Sequence, residues 1–513
     1  MDRFNLVDGP AHIASERTLQ LPSRAVAEEL VDIFATRVQP FSYVFHMDDF
    51  RRVLDETYEN PIECPRSWLC LIQLVFALAS VYKPDTDSGK FFASGLGLCQ
   101  DCIEDGDFWI VQAYLLISLY YQLTCKRNAF WIAIGAPCTF QRLTIGMAIR
   151  FAQALGLHRQ CVNRALPLRD YLLRQRVWRT LYIHDRFHSA ALGRPCAIED
   201  GDWDDTEPAE ESEADRLSVE MARISSILGD ICRQVYRPRT ISSEAASGLA
   251  RRLQQWSDNL PPEMSVHSLL RNKAVPYYDR HALQRLHLAH LNAVILLTRP
   301  FFYVVATAAA SQTPADVQKN HARGTAQRLA QACVLSASRS VEIVQTLFVD
   351  NARPLRPPFL IYFMFLAGLI LLLDAYRDKS LLLNPSIGSV KIIMASYSHL
   401  DPSAKRYHRI FEEMELAIIN DKEKQQQSET KTILGELLYG NGNPAREAVS
   451  ANPIFDTKSP GDISLSQFLM DGTMGFTPGL DDTFNFDFDS SAYWDSMMTG
   501  DGDFRGTLLN PEF

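Results

Sequence analysis

Apolar residues in this chain recur every three or four positions, and that spacing constrains the fold more than any other feature. Between Leu217 and Val235 they fall at Leu217, Met221, Ile224, Leu228, Ile231 and Val235. An α-helix, with about 3.6 residues per turn, gathers such positions onto one face. Ser212 and Asp215 stand just ahead as the expected N-cap and first-turn acid. The same period predicts helices over 68–82, 108–123, 143–155, 168–192, 278–309, 314–349, 359–377 and 401–427. Strand-like alternation bounded by Asn-Gly or Asp-Gly is scarce, so the expected fold class is all-α, a large multi-helix body.

Composition divides the chain. Segments 83–90 and 201–216 read as polar connections between helices, and 423–431 as a solvated helix end or linker. Beyond about residue 450 the periodicity fades and Gly, Pro, Ser, Thr and Asp take over, the composition of a disordered segment. The expected division is a linker-like 1–40, a helical domain over 41–440 and a disordered acidic tail over 441–513. Net charge is −10, and residues 451–513 hold eleven Asp or Glu against Lys458 and Arg505, a balance of −9 that leaves the rest near −1. A near-neutral body lacks the basic footprint of a surface that neutralises several phosphates. The opening MDRFNLVDGP has no apolar core of a secretory signal, and the ten cysteines are scattered, which together suggest an intracellular, reduced protein. The uncharged run Phe359–Leu373 is fifteen residues long, short of the roughly 18 to 20 of a membrane span, and reads as a core helix.

Several motifs invite chemistry that their surroundings do not support. Cys99 and Cys102 form a lone CxxC without the two further ligands that tetrahedral zinc wants. Asp200, Asp202, Asp204 and Glu211 match ligand positions of a calcium loop, but Asp205 occupies the place of its turning Gly, so a solvated acidic loop is expected. Asp204, Asp205 and Glu207 also suggest the magnesium site of an all-α terpenoid synthase; they precede Pro208 in a loop, and no second cluster accompanies them. GxSxG, GxxxxGK[ST] and HExxH are absent. His158, His184 and His188 lie near one another in the sequence without a third ligand, and read as exposed or capping histidines. No catalytic residue and no metal ligand is assigned, and an enzyme is not expected.

The most specific text lies between Gly146 and Pro208. A helix with Ile145, Ala148, Phe151, Ala152 and Leu155 inward ends at Gly156. A longer one, with Val177, Leu181, Ile183 or His184 and Ala190 inward, ends at Gly193 and Pro195, and carries Arg176, Arg179, Asp185 and Arg186, charges that a buried surface must pair. Gly156, His158, Arg159, Trp178, Asp185, Arg186, Gly193, Arg194 and Pro195, followed by an acidic loop to Pro208, form an ordered set over about 60 residues. That set resembles the fungal-specific transcription factor domain, the middle homology region of Zn2Cys6 zinc binuclear cluster transcription regulators. More loosely, 111–122, 256–264 and 298–302 are similar to its upstream helix, its Trp-to-Leu-Pro connection and its later Arg-Pro step. Two departures stand out. Arg179 replaces the second Trp of the family's pair, and no Cys precedes Cys64, so the six-cysteine DNA-reading module is not seen.

The resemblance implies a nuclear transcription regulator whose helical body masks an activation segment, binds a small-molecule inducer or dimerises. Zinc is implied only with a zinc cluster, and DNA is expected to be reached indirectly unless such a cluster exists. The alternatives are a coregulator that joins a DNA-binding partner and an all-α metal-dependent enzyme. The tail fits the first reading. Residues 455–513 contain ten aromatics, among them Phe484, Phe486, Phe488, Tyr493 and Trp494, interleaved with Asp481, Asp482, Asp487, Asp489 and Asp495. Repulsion between the acids keeps the rings hydrated and available, which suits an activation segment that contacts coactivator proteins through an apolar groove with a basic rim. No membrane partner is expected.

Overall fold

The computed structural model describes residues 21–101, 107–124, 139–204, 213–238, 243–271, 277–310, 320–349, 359–377 and 384–439. Its helices are α1 (Arg24–Arg37), α2 (Met47–Glu59), α3 (Arg66–Ser80), α4 (Ser88–Asp101), α5 (Phe108–Leu123), α6 (Thr139–Ala154), α7 (Gln160–Asn163) and α8 (Leu168–Leu192). They continue with α9 (Glu213–Ile231), α10 (Ser243–Asp258), α11 (Val266–Arg271), α12 (Tyr277–Ala310), α13 (Asn320–Val349), α14 (Leu360–Arg377), α15 (Pro385–Tyr397) and α16 (Pro402–Tyr439). No strand occurs among the described residues, as the three-and-four spacing requires.

Chain neighbours pack together: α3 with α4, α5 with α6, α8 with α9, α12 with α13, α13 with α14 and α15 with α16. Contacts between next-but-one helices, α3 with α5, α12 with α14 and α14 with α16, join these pairs around one apolar core that runs from Ala27 to Ile418. The innermost helices show little amphipathic pattern because they are covered on every side. In α3 every residue from Leu69 to Ser80 is buried, and in α5 burial runs unbroken from Ile110 to Tyr120. The apolar run of α14 packs in the same core, with Met364, Ala367, Leu371 and Leu372 fully enclosed.

Two expectations are corrected, at α1 and at His184, and one open alternative is decided. Residues 24–37 are not linker-like, since α1 buries Ala27, Leu30, Val31 and Phe34 against α3. Segment 423–431 is the solvated helix end and not the linker: its described side chains are exposed in the last part of α16, where Glu, Lys and Gln, good helix formers, sustain the helix without an apolar face. His184 is neither exposed nor capping but buried.

Candidate functional site

The sequence set singled out above converges on α8. At its carboxyl end Gly193 takes a left-handed conformation, φ 61°, that a Cβ disfavours, and the Arg194 N–H turns back to donate to the Ser189 carbonyl at 2.9 Å. Gly156, φ +71°, ends the segment after α6 in the same way, with Leu157 N–H donating to Ala152 O at 2.9 Å. These two turns bring the chain back so that the loop after each lies along α8. His158 rests beside buried Trp178, ring centroids 5.6 Å apart, and Arg159 reaches Asp204 at 3.8 Å. Pro195 is exposed, and its carbonyl accepts a hydrogen bond from Ser189 Oγ at 3.3 Å.

Asp185 and Arg186 hold the returning loop. The Asp185 carboxylate accepts from the Ala197 N–H at 2.9 Å and the Ile198 N–H at 3.0 Å, donors that would otherwise be buried without partners. Arg186 donates to Asp185 Oδ2 at 3.0 Å, to the Ile198 carbonyl at 2.8 Å and to Asp200 Oδ1 at 2.7 Å, while its guanidinium lies 4.4 Å from the Tyr182 ring centroid. Asp200 also accepts from Tyr182 at 2.5 Å and from Arg233 at 3.1 Å, and Arg233 bridges on to Asp230. α9 makes room for this arrangement. A Cβ on Gly229 would sit 2.7 Å from Arg186 Nε, closer than real atoms approach. Arg186 is only 2% exposed, so each of these contacts acts with little competition from water.

Burial pushes the Asp200 carboxyl up, and the hydrogen bonds from Tyr182 and Arg186 overcome this and hold it below the usual carboxylate value. Burial lowers the Arg186 guanidinium, but the negative and polar groups around it, Tyr182 first among them, leave it raised. Both shifts favour the paired, charged forms. Asp200 is therefore bound by α8 and α9 and is no free calcium ligand or solvated acid, while Asp204 turns elsewhere, accepting from the Gln160 N–H at 2.6 Å. Asp205, Glu207 and Glu211 lie outside the described residues.

A second pair lies one to three turns earlier on α8. Arg176 grips Asp215 with two parallel hydrogen bonds, 2.8 and 2.6 Å, and donates to the Tyr43 hydroxyl at 3.1 Å. Arg179, in the place of the family's second Trp, is 1% exposed, and its Nη1 comes within 4.0 Å of the same Asp215. Asp215 thus acts as more than a helix-end acid: it ties α9 to α8. The 39–46 segment completes this side, with Tyr43 N–H donating to Thr180 at 3.2 Å and Ser42 Oγ 2.8 Å from His184 Nε2.

The remaining motifs stay apart. Buried Cys99 belongs to α4, and Cys102 lies outside the described residues. Among the described residues no group of three or more His, Cys, Asp or Glu is placed to hold a metal ion. His184 and His188 do approach, ring centroids 5.7 Å apart, but His184 Nε2 meets Ser42 and His188 Nδ1 donates to the His184 carbonyl at 2.7 Å. Phe484, Phe486, Phe488, Tyr493 and Trp494 lie outside the described residues. Sequence reading missed Asp200 as partner of Arg186, because the distance that joins them is set by the turn at Gly193. It also missed Arg285 on α12, whose guanidinium lies 4.8 Å from the Phe41 ring and which no motif marks.

Fold and site together define an all-α body whose most distinctive residues are internal struts: they fasten a returning loop and α9 to α8. Residues 31–258 match the family model of the fungal specific transcription factor domain. It is 26% identical to filamentous growth regulator 27 of Candida albicans over 81% of this chain and 55% of that one. It is 25% identical to thiamine repressible genes regulatory protein thi1 of Schizosaccharomyces pombe, over 70% of this chain and 46% of that protein. Activator of stress genes 1 of Saccharomyces cerevisiae is 25% identical over 57% of this chain and 33% of its own. The chain spans about half the length of the curated relatives it matches first. No solved structure matches. The matched segment encloses every member of the Asp185–Arg186–Asp200 network, so the matched text here encodes internal structure.

Proposed function

We propose that this chain is the regulatory and activation portion of a nuclear fungal transcription regulator of the Zn2Cys6 type. The observation that carries the reading is the match of residues 31–258 to the transcription factor domain, supported by relatives named as transcription regulators and activators. In this reading the helical body is the sensing element, and the acidic-aromatic residues 481–496 are its output, binding coactivators through Phe484, Phe486, Phe488, Tyr493 and Trp494.

The test is a fungal reporter assay with the whole chain fused to a heterologous DNA-binding domain, beside a version ending at Ala451. Activation that vanishes with the tail is expected. Silence from both the whole chain and the tail alone contradicts the reading.

A coregulator that reaches DNA through a partner is the second reading. It is favoured by one observation, the near-neutral charge of residues 1–450. Salt-dependent binding of this chain alone to duplex DNA would contradict it.

A further inference from the structure

Arg285 differs from Arg176 and Arg186, whose guanidinium groups are met by Asp215, Asp185 and Asp200. Its Nη1 donates to the Phe41 carbonyl at 2.9 Å and its guanidinium faces the Phe41 ring, while its Nε, like that of Arg186, is sealed from solvent without a hydrogen-bond partner. No carboxylate among the described residues pairs with it, and burial alone pushes its guanidinium down to about 10. Asp215, the buried acid whose partner Arg176 also meets Tyr43, is already held by that arginine. A half-buried cation with one carbonyl for company is costly, and proteins normally oppose such a charge with an anion.

The surroundings have the chemistry of a receiving pocket. Phe41, His188, Arg285 and Phe359 all keep partial exposure although the helices that carry or flank them are packed. Ser42, next to Phe41, meets His184 at 2.8 Å, and the rings of His184 and His188 lie 6.1 and 5.2 Å from that of Phe359. Phe359 takes a φ of 65°, a left-handed conformation that a bulky side chain adopts only when its surroundings enforce it. Burial, then the charges of His188 and Arg285, hold His184 well below its ordinary value, so its imidazole is neutral at physiological pH.

We propose that Arg285 anchors a binding site for a small organic monocarboxylate, whose apolar part lies against Phe41 and Phe359. A planar guanidinium with free donors matches a carboxylate in two-point geometry. One cation beside a neutral imidazole and a hydroxyl suits a single negative charge, and a phosphate would call for more. Aromatic walls with a few polar groups are the usual make-up of a small-molecule site. The site gives the sensing role proposed above a ligand class. Its test is binding alone, so it can fail while the transcriptional reading stands, and the reverse.

The experiment is calorimetric titration of the purified full chain with benzoate, acetate and inorganic phosphate, repeated on Arg285→Met. Expected are saturable benzoate binding with a Kd on the order of 1 mM or tighter, weaker acetate binding, no phosphate binding, and at least a tenfold loss of benzoate affinity in Arg285→Met. Absence of benzoate binding, binding that survives Arg285→Met unchanged, or a preference for phosphate would each overturn the proposal. Should Arg285→Met not fold, Arg285→Lys decides: it keeps the charge but not the fork, and benzoate affinity must fall severalfold; an unchanged affinity overturns the proposal equally.

Discussion

Arg186 on α8 is buried and Arg285 on α12 half-buried in the helical body, and their surroundings differ in kind. Arg186 meets Asp185, Asp200, the Ile198 carbonyl and the face of Tyr182, and α9 gives up a side chain at Gly229 to admit it. Arg285 meets one carbonyl and one ring. A buried charge with its counter-charges fixed in the chain is a strut, and removing one partner strands the others. A half-buried charge without a counter-charge contributes nothing comparable to folding, and what it offers is an open place for an anion. The same residue type therefore marks architecture in one place and recognition in the other.

The comparison breaks most readily at Asp185. Asp185→Ala strands the Ala197 and Ile198 N–H groups and half of the Arg186 charge, and should cost about 3–5 kcal/mol in urea denaturation, the range for breaking a buried pair. A loss below about 1 kcal/mol, the level of an exposed pair, would show that the network does not hold α8 to its loop. Gly229→Ala comes next. Alanine would favour the helix by about 1 kcal/mol, but its methyl meets an Arg186 that several partners pin in place, so a net loss of about 1–3 kcal/mol is expected from overpacking. Net stabilisation would mean that Arg186 swings aside freely.

Acid sharpens the picture. Asp200 has a folded-state value below its unfolded one, so its stabilisation is present above the unfolded value near 4 and is lost as pH falls through the lower folded value. Wild-type melting temperature should therefore drop more steeply below about pH 4 than that of Asp200→Asn, which starts lower and changes less. Parallel curves would remove Asp200 from the network. The smallest effect belongs to the surface, where Arg52 and Glu56 pair at 2.8 Å but remain 63% and 58% exposed. Arg52→Ala should cost only about 0.3–0.5 kcal/mol, and a multi-kcal loss there would undo the distinction between enclosed and solvated pairs.

The helices were legible because burial on one face imposes the spacing that the apolar residues display, and α5 and α8 begin and end where that spacing places them. α1 carried the same signal at Ala27, Leu30, Val31 and Phe34 and was open to the same reading. The need to pair Arg176, Arg179, Asp185 and Arg186 was legible from their setting in apolar text. Their partners were not, because Asp200 and Asp215 reach α8 only after the turn at Gly193 and the crossing of α9, geometry that no local spacing encodes. Arg285 was least legible of all. In sequence it is one more cation on a long helix, and only the packing of Phe41 over it, more than two hundred residues away in the chain, reveals that it lacks an anion.

The most direct measurement compares Arg186→Met with Arg285→Met in equilibrium urea unfolding at neutral pH. Methionine keeps much of the side-chain volume and removes the charge in both. A loss of about 3–5 kcal/mol for Arg186→Met, beside no loss or a gain for Arg285→Met, is the predicted result. Equal losses at the two positions would contradict the claim that one arginine is a strut and the other an anchor awaiting its ligand.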